Sequence, residues 1–281
     1  MQARLLHVLL DAVEADLRWD ALELGCSLAA GRGDALSDVD VGLWPGGVER
    51  PSDEDVTAMV RSLGAVVDLS AQPWGDVPRW WVQYADGTQV DLVVLPVDGR
   101  RWRAPGSVVL LDRSGRLAQV DRPSVLRAGT DDARGWMLDG WEALSNVAKY
   151  VQRGSLLEAQ EQLHRARTRV YQLWAIGQDV DYPTFGLTSL LDAPGAALPH
   201  DIEATYCPAE EGAVRDAALR LTRLISEAAQ RADPHLQTPL ASYVTERISG
   251  TYQSPGSRSR LDVPTDGPLP ATSEMCSGRR E

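Results

Sequence analysis

Residues 3–17 place Leu6, Leu9, Leu10, Val13 and Leu17 at helical spacing. One face of that segment is apolar, which predicts an amphipathic helix. Apolar runs at 21–24 and around 39–43 predict two strands separated by a small-residue turn. Pro51 and Ser52, followed by Asp53, Glu54 and Asp55, predict a second helix with Ser52 as its N-cap, running to about Gly64. Residues 65–69 predict a strand. Two further apolar runs, 80–84 and 88–95, flank Asp86-Gly87, a strong hairpin signal. Another β segment is expected at 108–117, turning at Ser114-Gly115, within a stretch that Pro105, Pro123 and Gly129 mark as connecting.

From residue 131 the apolar period becomes helical. Trp136, Leu144, Val147 and Val151 form a stripe, with Trp141 and Ala148 beside it. Ser155 and Glu158 have the spacing of a capping box that opens a helix with Leu156, Leu163, Val170 and Trp174 inward. Arg165, Arg167 and Arg169 on that helix read as a solvated surface, with one of them able to reach a polyphosphate, and His164 has no spacing that suggests a metal site. Residues 178–207 read as a long irregular stretch, a candidate substrate lid, in which Asp179 and Asp181 are solvated loop acids. Pro208 and Pro239 open two more helices, the last stopped by Gly250. The expected class is therefore α+β: a mixed-sheet core over 1–100, a β-containing connector over 101–130, a helical bundle over 131–250, and a tail over 251–281 too rich in Ser, Pro, Gly and Arg to order.

Composition narrows this picture only slightly. The chain has 281 residues and a formal net charge of -12, against a nucleic-acid partner, which needs a basic stripe, and compatible with a small cationic substrate. Its three cysteines, Cys26, Cys207 and Cys276, are far apart and predict neither a disulfide framework nor a zinc site. A reducing cytoplasm is the expected compartment. Asp11 and Glu14 break the N-terminal apolar run before it could serve as a signal peptide, and no stretch approaches a membrane span.

Chemistry concentrates in residues 24–43, LGCSLAAGRGDALSDVDVGL. Asp38 and Asp40 sit two apart on a predicted strand and so project from one face, with Val39 and Val41 directed to the packed side. Paired carboxylates suit Mg²⁺, which favours them together with substrate phosphates, and the Gly25-Cys26-Ser27 turn upstream offers backbone N–H groups and a hydroxyl to such phosphates. Asp91 lies among Val90, Leu92, Val93 and Val94, where an unpaired carboxylate is costly. Asp68 is its rival as a third carboxylate.

Ser27-Leu-Ala-Ala-Gly31 and Ser37-Asp38-Val39-Asp40 resemble the signature of the DNA polymerase β-like nucleotidyltransferase superfamily, in particular its small bacterial aminoglycoside and lincosamide nucleotidyltransferases. The likeness covers the first third of the chain well and the rest only in layout. It implies transfer of a nucleoside monophosphate from an NTP, with ATP the first choice, to a hydroxyl of a small-molecule acceptor. It also implies metal ligation and catalysis by Asp38, Asp40 and Asp91, phosphate contacts from Gly25 and Ser27, and two Mg²⁺ ions. The sequence departs from that pattern at Cys26, where the family has Gly, and at Ala30, where many members carry Arg. An antitoxin-like protein adenylyltransferase and a degenerate nucleotide-binding protein are the alternatives.

Overall fold

The computed structural model describes residues 2–47, 50–74, 77–95, 106–118 and 128–250. The expected tail, 251–281, lies outside the described residues, as do Cys276 and much of the connector.

Six strands form one sheet in the order β3-β4-β5-β2-β1-β6. These are β1 (Trp19–Leu24), β2 (Val39–Pro45), β3 (Val66–Ala71), β4 (Arg79–Tyr84), β5 (Gln89–Val94) and β6 (Val108–Asp112). Only β2 and β5 run parallel; the other neighbouring pairs are antiparallel. The parallel pair lies at the centre, where both strands have neighbours on either side. The sixth strand extends the expected core: the segment read as part of a connector pairs with β1 along the sheet's edge. Its apolar run, Val108 to Leu111, pairs along the edge that β1 offers.

The helices α1 (Gln2–Ala15) and α3 (Asp53–Ser62) cover one face of the sheet. Leu5, Leu9 and Val13 from α1 and Val56 and Val60 from α3 meet Leu22, Val39, Val41, Leu43, Val90 and Leu92 in one apolar layer. The start of α3 is as its sequence dictates. Ser52 Oγ accepts from the Asp55 amide at 3.1 Å, and the Asp55 carboxylate accepts from the Ser52 amide at 3.1 Å, so two otherwise orphaned donors are satisfied reciprocally. The sheet's other face carries a smaller apolar patch of Ala21, Trp44, Leu95 and Leu117, and beside it the acids described below.

The second half is helical. The long helices α4 (Thr130–Gln152), α5 (Leu156–Gly177) and α7 (Glu211–Ala232) pack on one another, and α8 (Leu240–Ser249) closes against α4 and α7. Leu144, Val147, Leu163, Val170, Leu221 and Ile225 are all buried in this second core. Gly140 lets α4 pass close to α7: a Cβ there would come within 2.1 Å of Ile225 Cδ1, so that side chain would have to shift. Between α5 and α7 the irregular stretch contains 3-10 turns at Pro183–Phe185 and Ile202–Thr205 and the short α6 (Leu187–Asp192).

Two expectations for α5 are corrected. Ser155 makes no side-chain cap, so there is no capping box with Glu158. Ser155 instead finishes the preceding helix: its amide donates to the Tyr150 carbonyl at 3.0 Å and the Gly154 amide to Val151 at 3.0 Å, with Gly154 at φ +71. This is the Schellman closure, and the interhelical link is too short to serve both ends separately. The arginines are not a solvated surface either. Arg167 is 5% exposed, donates to the Thr205 carbonyl at 2.7 Å and stacks its guanidinium 4.3 Å from the Tyr206 ring centre. Arg165 and Arg169 both bind Asp139 of α4. Their charge argued for solvent; the crossing of α4 covers Arg165 and Arg169, and the 202–206 segment covers Arg167, which stands on the apolar stripe between Leu163 and Val170.

Candidate functional site

The site is assembled on the sheet face away from α1 and α3. Val39 and Val41 of β2 and Val90 and Leu92 of β5 bury into the helical layer, so the intervening Asp40 and Asp91 leave by the opposite face. The parallel register sets Asp40 directly beside Asp91. Asp38, two residues earlier and just outside β2, is exposed. Glu23 of β1, opposite Gly42 and only 3% exposed, belongs to the same face. Asp68 is excluded from this group: its strand is separated from β2 by β4 and β5, roughly 14 Å at the usual strand spacing, and the residue is exposed.

The turn above Asp40 is tied down by backbone. Gly25 donates its N–H to the Asp40 carbonyl at 2.8 Å, extending the β1–β2 ladder by one residue. That amide is therefore committed, and a phosphate at this turn would meet those of Cys26, Ser27 and Leu28, which open the single turn α2 (Cys26–Ala29) and have no carbonyl one turn back to bind. Cys26 has φ +54, the left-handed region, which costs a residue with a Cβ about 1 kcal/mol or more. This is where the nucleotidyltransferase signature has Gly, and the turn itself supplies the reason.

Electrostatics set Asp40 apart. Its carboxyl is pushed up to about 6, first by burial and then by the charges of Asp91 and Asp38; the Cys26 thiol and Arg79 act against this. The Cys26 thiol is in turn pushed up to about 12, by burial and by the Asp40 carboxylate, with Asp91 and Asp192 adding to it. Asp192 ends α6, so the helical half brings an acid close enough to be felt at the turn. Asp91 is differently placed. Arg79, at the start of β4, holds both of its oxygens, Nε to Oδ1 at 2.7 Å and Nη2 to Oδ2 at 2.6 Å.

Among the described residues, no three His, Cys, Asp or Glu side chains stand close enough together to enclose a metal ion. The donor set nevertheless fits one hard divalent cation: Asp40 is a carboxylate whose charge is poorly compensated, Asp91 lies beside it, and Asp38 is two residues away on the same strand direction. Mg²⁺ asks for one or two carboxylates and takes its remaining oxygens from phosphate and water. A concavity of about 370 Å³, lined by Arg4, Leu5, Leu63, Tyr84 and Asp86, opens by the hairpin turn. Leu5 and Tyr84 of that concavity belong to the helical layer, so the sheet separates it from the carboxylates.

Arg79, Asp192 and Glu23 were not singled out from the sequence. Arg79 had a usable signal. The Asp86-Gly87 turn fixes Gln83 opposite Gln89, which puts Trp81 opposite Asp91 and Arg79 one diagonal step away on the same face. Asp192 had none, because its approach depends on how the helical half folds back.

No family model matches the chain, and no curated protein matches it. Among solved structures, an aminoglycoside 6-adenyltransferase from Bacillus subtilis is similar at 15% identity, over 90% of this chain and 99% of that one, with a TM-score of 0.39. The fold of the present chain is α+β, a mixed six-stranded sheet followed by a helical region. No described helix is long and apolar enough to cross a membrane.

Proposed function

We propose that this protein is a nucleotidyltransferase that moves a nucleoside monophosphate, AMP in the first instance, from an NTP to a hydroxyl of a small, cationic, aminoglycoside-like acceptor. The observation that carries the reading is the register of Asp40 beside Asp91 on the sheet face away from α1 and α3, under a turn that begins a new set of backbone amides. A divalent cation bound at Asp38 and Asp40 would neutralise charge on the triphosphate and on the transition state.

The chain's own groups account for the rest. Ser27 Oγ and the amides of the turn hold the outer phosphates, and the Gly25–Asp40 backbone bond keeps that turn in fixed relation to the carboxylates. The acceptor oxygen forms a bond to the α-phosphorus, the bond from that phosphorus to the bridging oxygen of the β-phosphate breaks, and pyrophosphate leaves with the electron pair. The acceptor's proton passes to Asp91, which is close to Asp40 but held by Arg79. Asp192 and the acidic balance of the chain support a cationic acceptor, bound between the sheet and the helical half.

Incubation of the purified chain with α-³²P-labelled NTPs, Mg²⁺ and a panel of aminoglycosides, lincosamides and candidate proteins tests this. Labelled acceptor and released pyrophosphate are expected with ATP and at least one amino sugar. Labelling of a protein alone would replace the small-molecule acceptor, and no transfer with any NTP would overturn the reading.

A further inference from the structure

Arg79 bears on how many divalent ions this site takes. It stands on β4 diagonal to Asp91, and its guanidinium meets the carboxylate with two short, parallel N–H···O bonds of 2.7 and 2.6 Å. That fork matches a carboxylate in width and carries a permanent positive charge, which an ammonium group could supply only as a point contact. Neither partner is fully solvated; the side chains are 37% and 26% exposed. Asp40, by contrast, is paired with no basic side chain among the described residues; the arginine that acts on it, Arg79, is engaged by Asp91.

We propose, resting on the nucleotidyltransferase reading above, that Arg79 takes the place a second divalent cation would have at Asp91. The site then works with one ion, shared by Asp38, Asp40 and the triphosphate. Arg79 is a positioning residue: it fixes Asp91 beside the acceptor and supplies the positive charge on that side of the reaction. The expectation of two Mg²⁺ ions is thereby revised for this chain. A further consequence is that Asp91 is spared for proton transfer, because it gives up no oxygen to metal.

The test counts ions without turnover. Mn²⁺ is titrated into the full chain saturated with α,β-methylene-ATP, in which the bond that breaks is replaced by carbon, and free Mn²⁺ is read by electron paramagnetic resonance. One Mn²⁺ per complex is expected for the wild type. Arg79→Met is expected to admit a second, weaker ion, and Asp91→Asn to keep one ion with affinity within about threefold of wild type. Two ions in the wild type, or a tenfold loss of Mn²⁺ affinity in Asp91→Asn, would overturn the role given to Arg79 and leave the nucleotide site standing. Asp40→Asn separates the two claims: it should lose Mn²⁺ and analogue binding by more than tenfold. If it binds both as the wild type does, the nucleotide reading itself fails and the proposal for Arg79 with it.

Discussion

The helical half and the acid-bearing face of the sheet treat a partly buried carboxylate in opposite ways. Asp139 of α4 is held by Arg165 and Arg169 from α5; burial works to raise its carboxyl, but these two arginines outweigh it and keep the group below the usual carboxylate range. Asp40 has acids for neighbours, and burial together with their charge pushes it up to about 6. A fold that needed only stability would not leave Asp40 so. Desolvating a charge costs free energy unless a partner repays it, and at Asp139 the partners are in the chain. At Asp40 the missing positive charge is left for a bound group to supply, the pattern expected of a site rather than a strut.

The sharpest way to break this contrast is Asp40→Asn. Turnover should fall by more than about a thousandfold, since a charged ligand is lost while the shape is kept. Stability should move the other way. A carboxyl raised in the folded state destabilises the fold at pH above about 6, and that penalty fades as pH falls from 6 towards the unfolded value near 4. The ligand-free variant should therefore be more stable than wild type at pH 8 by about 1–2 kcal/mol, allowing for solvent screening, and equal to it by pH 4. Urea melts across pH measure this, and a destabilised variant at pH 8 would place Asp40 with Asp139.

Asp139→Asn should show the converse. It strands two arginines that are only partly solvated, so the loss should be about 2 kcal/mol near neutrality. The wild-type group is lowered in the fold, so its stabilisation is present above the unfolded value and is lost as pH falls through the lower folded one. Melting of wild type and variant should thus converge only below about pH 4, with turnover per folded molecule unchanged at neutral pH.

Cys26→Gly is a smaller change on the sheet side. Glycine accepts φ +54 without a Cβ clash, so the variant should be as stable as wild type or more stable by up to about 1 kcal/mol, with NTP affinity retained. Weaker NTP binding, measured by calorimetry with the methylene analogue, would mean that the thiol itself contacts the nucleotide. Asp68→Asn, the smallest, should leave stability within about 0.5 kcal/mol and turnover unaffected, because the residue is exposed on an edge strand.

Much of the fold was readable from local pattern. The Ser52 cap, the Asp86-Gly87 hairpin and the stop at Gly250 all depend on residues within one or two turns of one another, and each stands where its sequence put it; the α1 stripe does so except at its end, where the helix stops at Ala15 and leaves Leu17 exposed. The failures share a different cause. Ser155 has a capping-box partner at the right spacing, but its amide was needed by the helix before it. Arg167, four after Leu163 and three before Val170, stands on the apolar stripe itself; its charge argued for solvent, and the segment around Tyr206 that lets it stay buried comes from a distant part of the chain.

The sequence by itself determined that Asp40 alternates with the buried Val39 and Val41 and that Asp91 sits in an apolar strand, because strand alternation is a property of consecutive residues; Asp38, expected on the same strand face, lies just outside β2, which begins at Val39. Only the tertiary structure decided that β2 and β5 are parallel neighbours with Asp40 and Asp91 in register, and that the charge of Asp192 is felt at Cys26; the pairing of Arg79 with Asp91 follows the hairpin register. The first two relations join residues far apart in the chain. Strand order and the return of the helical half create them, and neither is encoded in the spacing of any single segment.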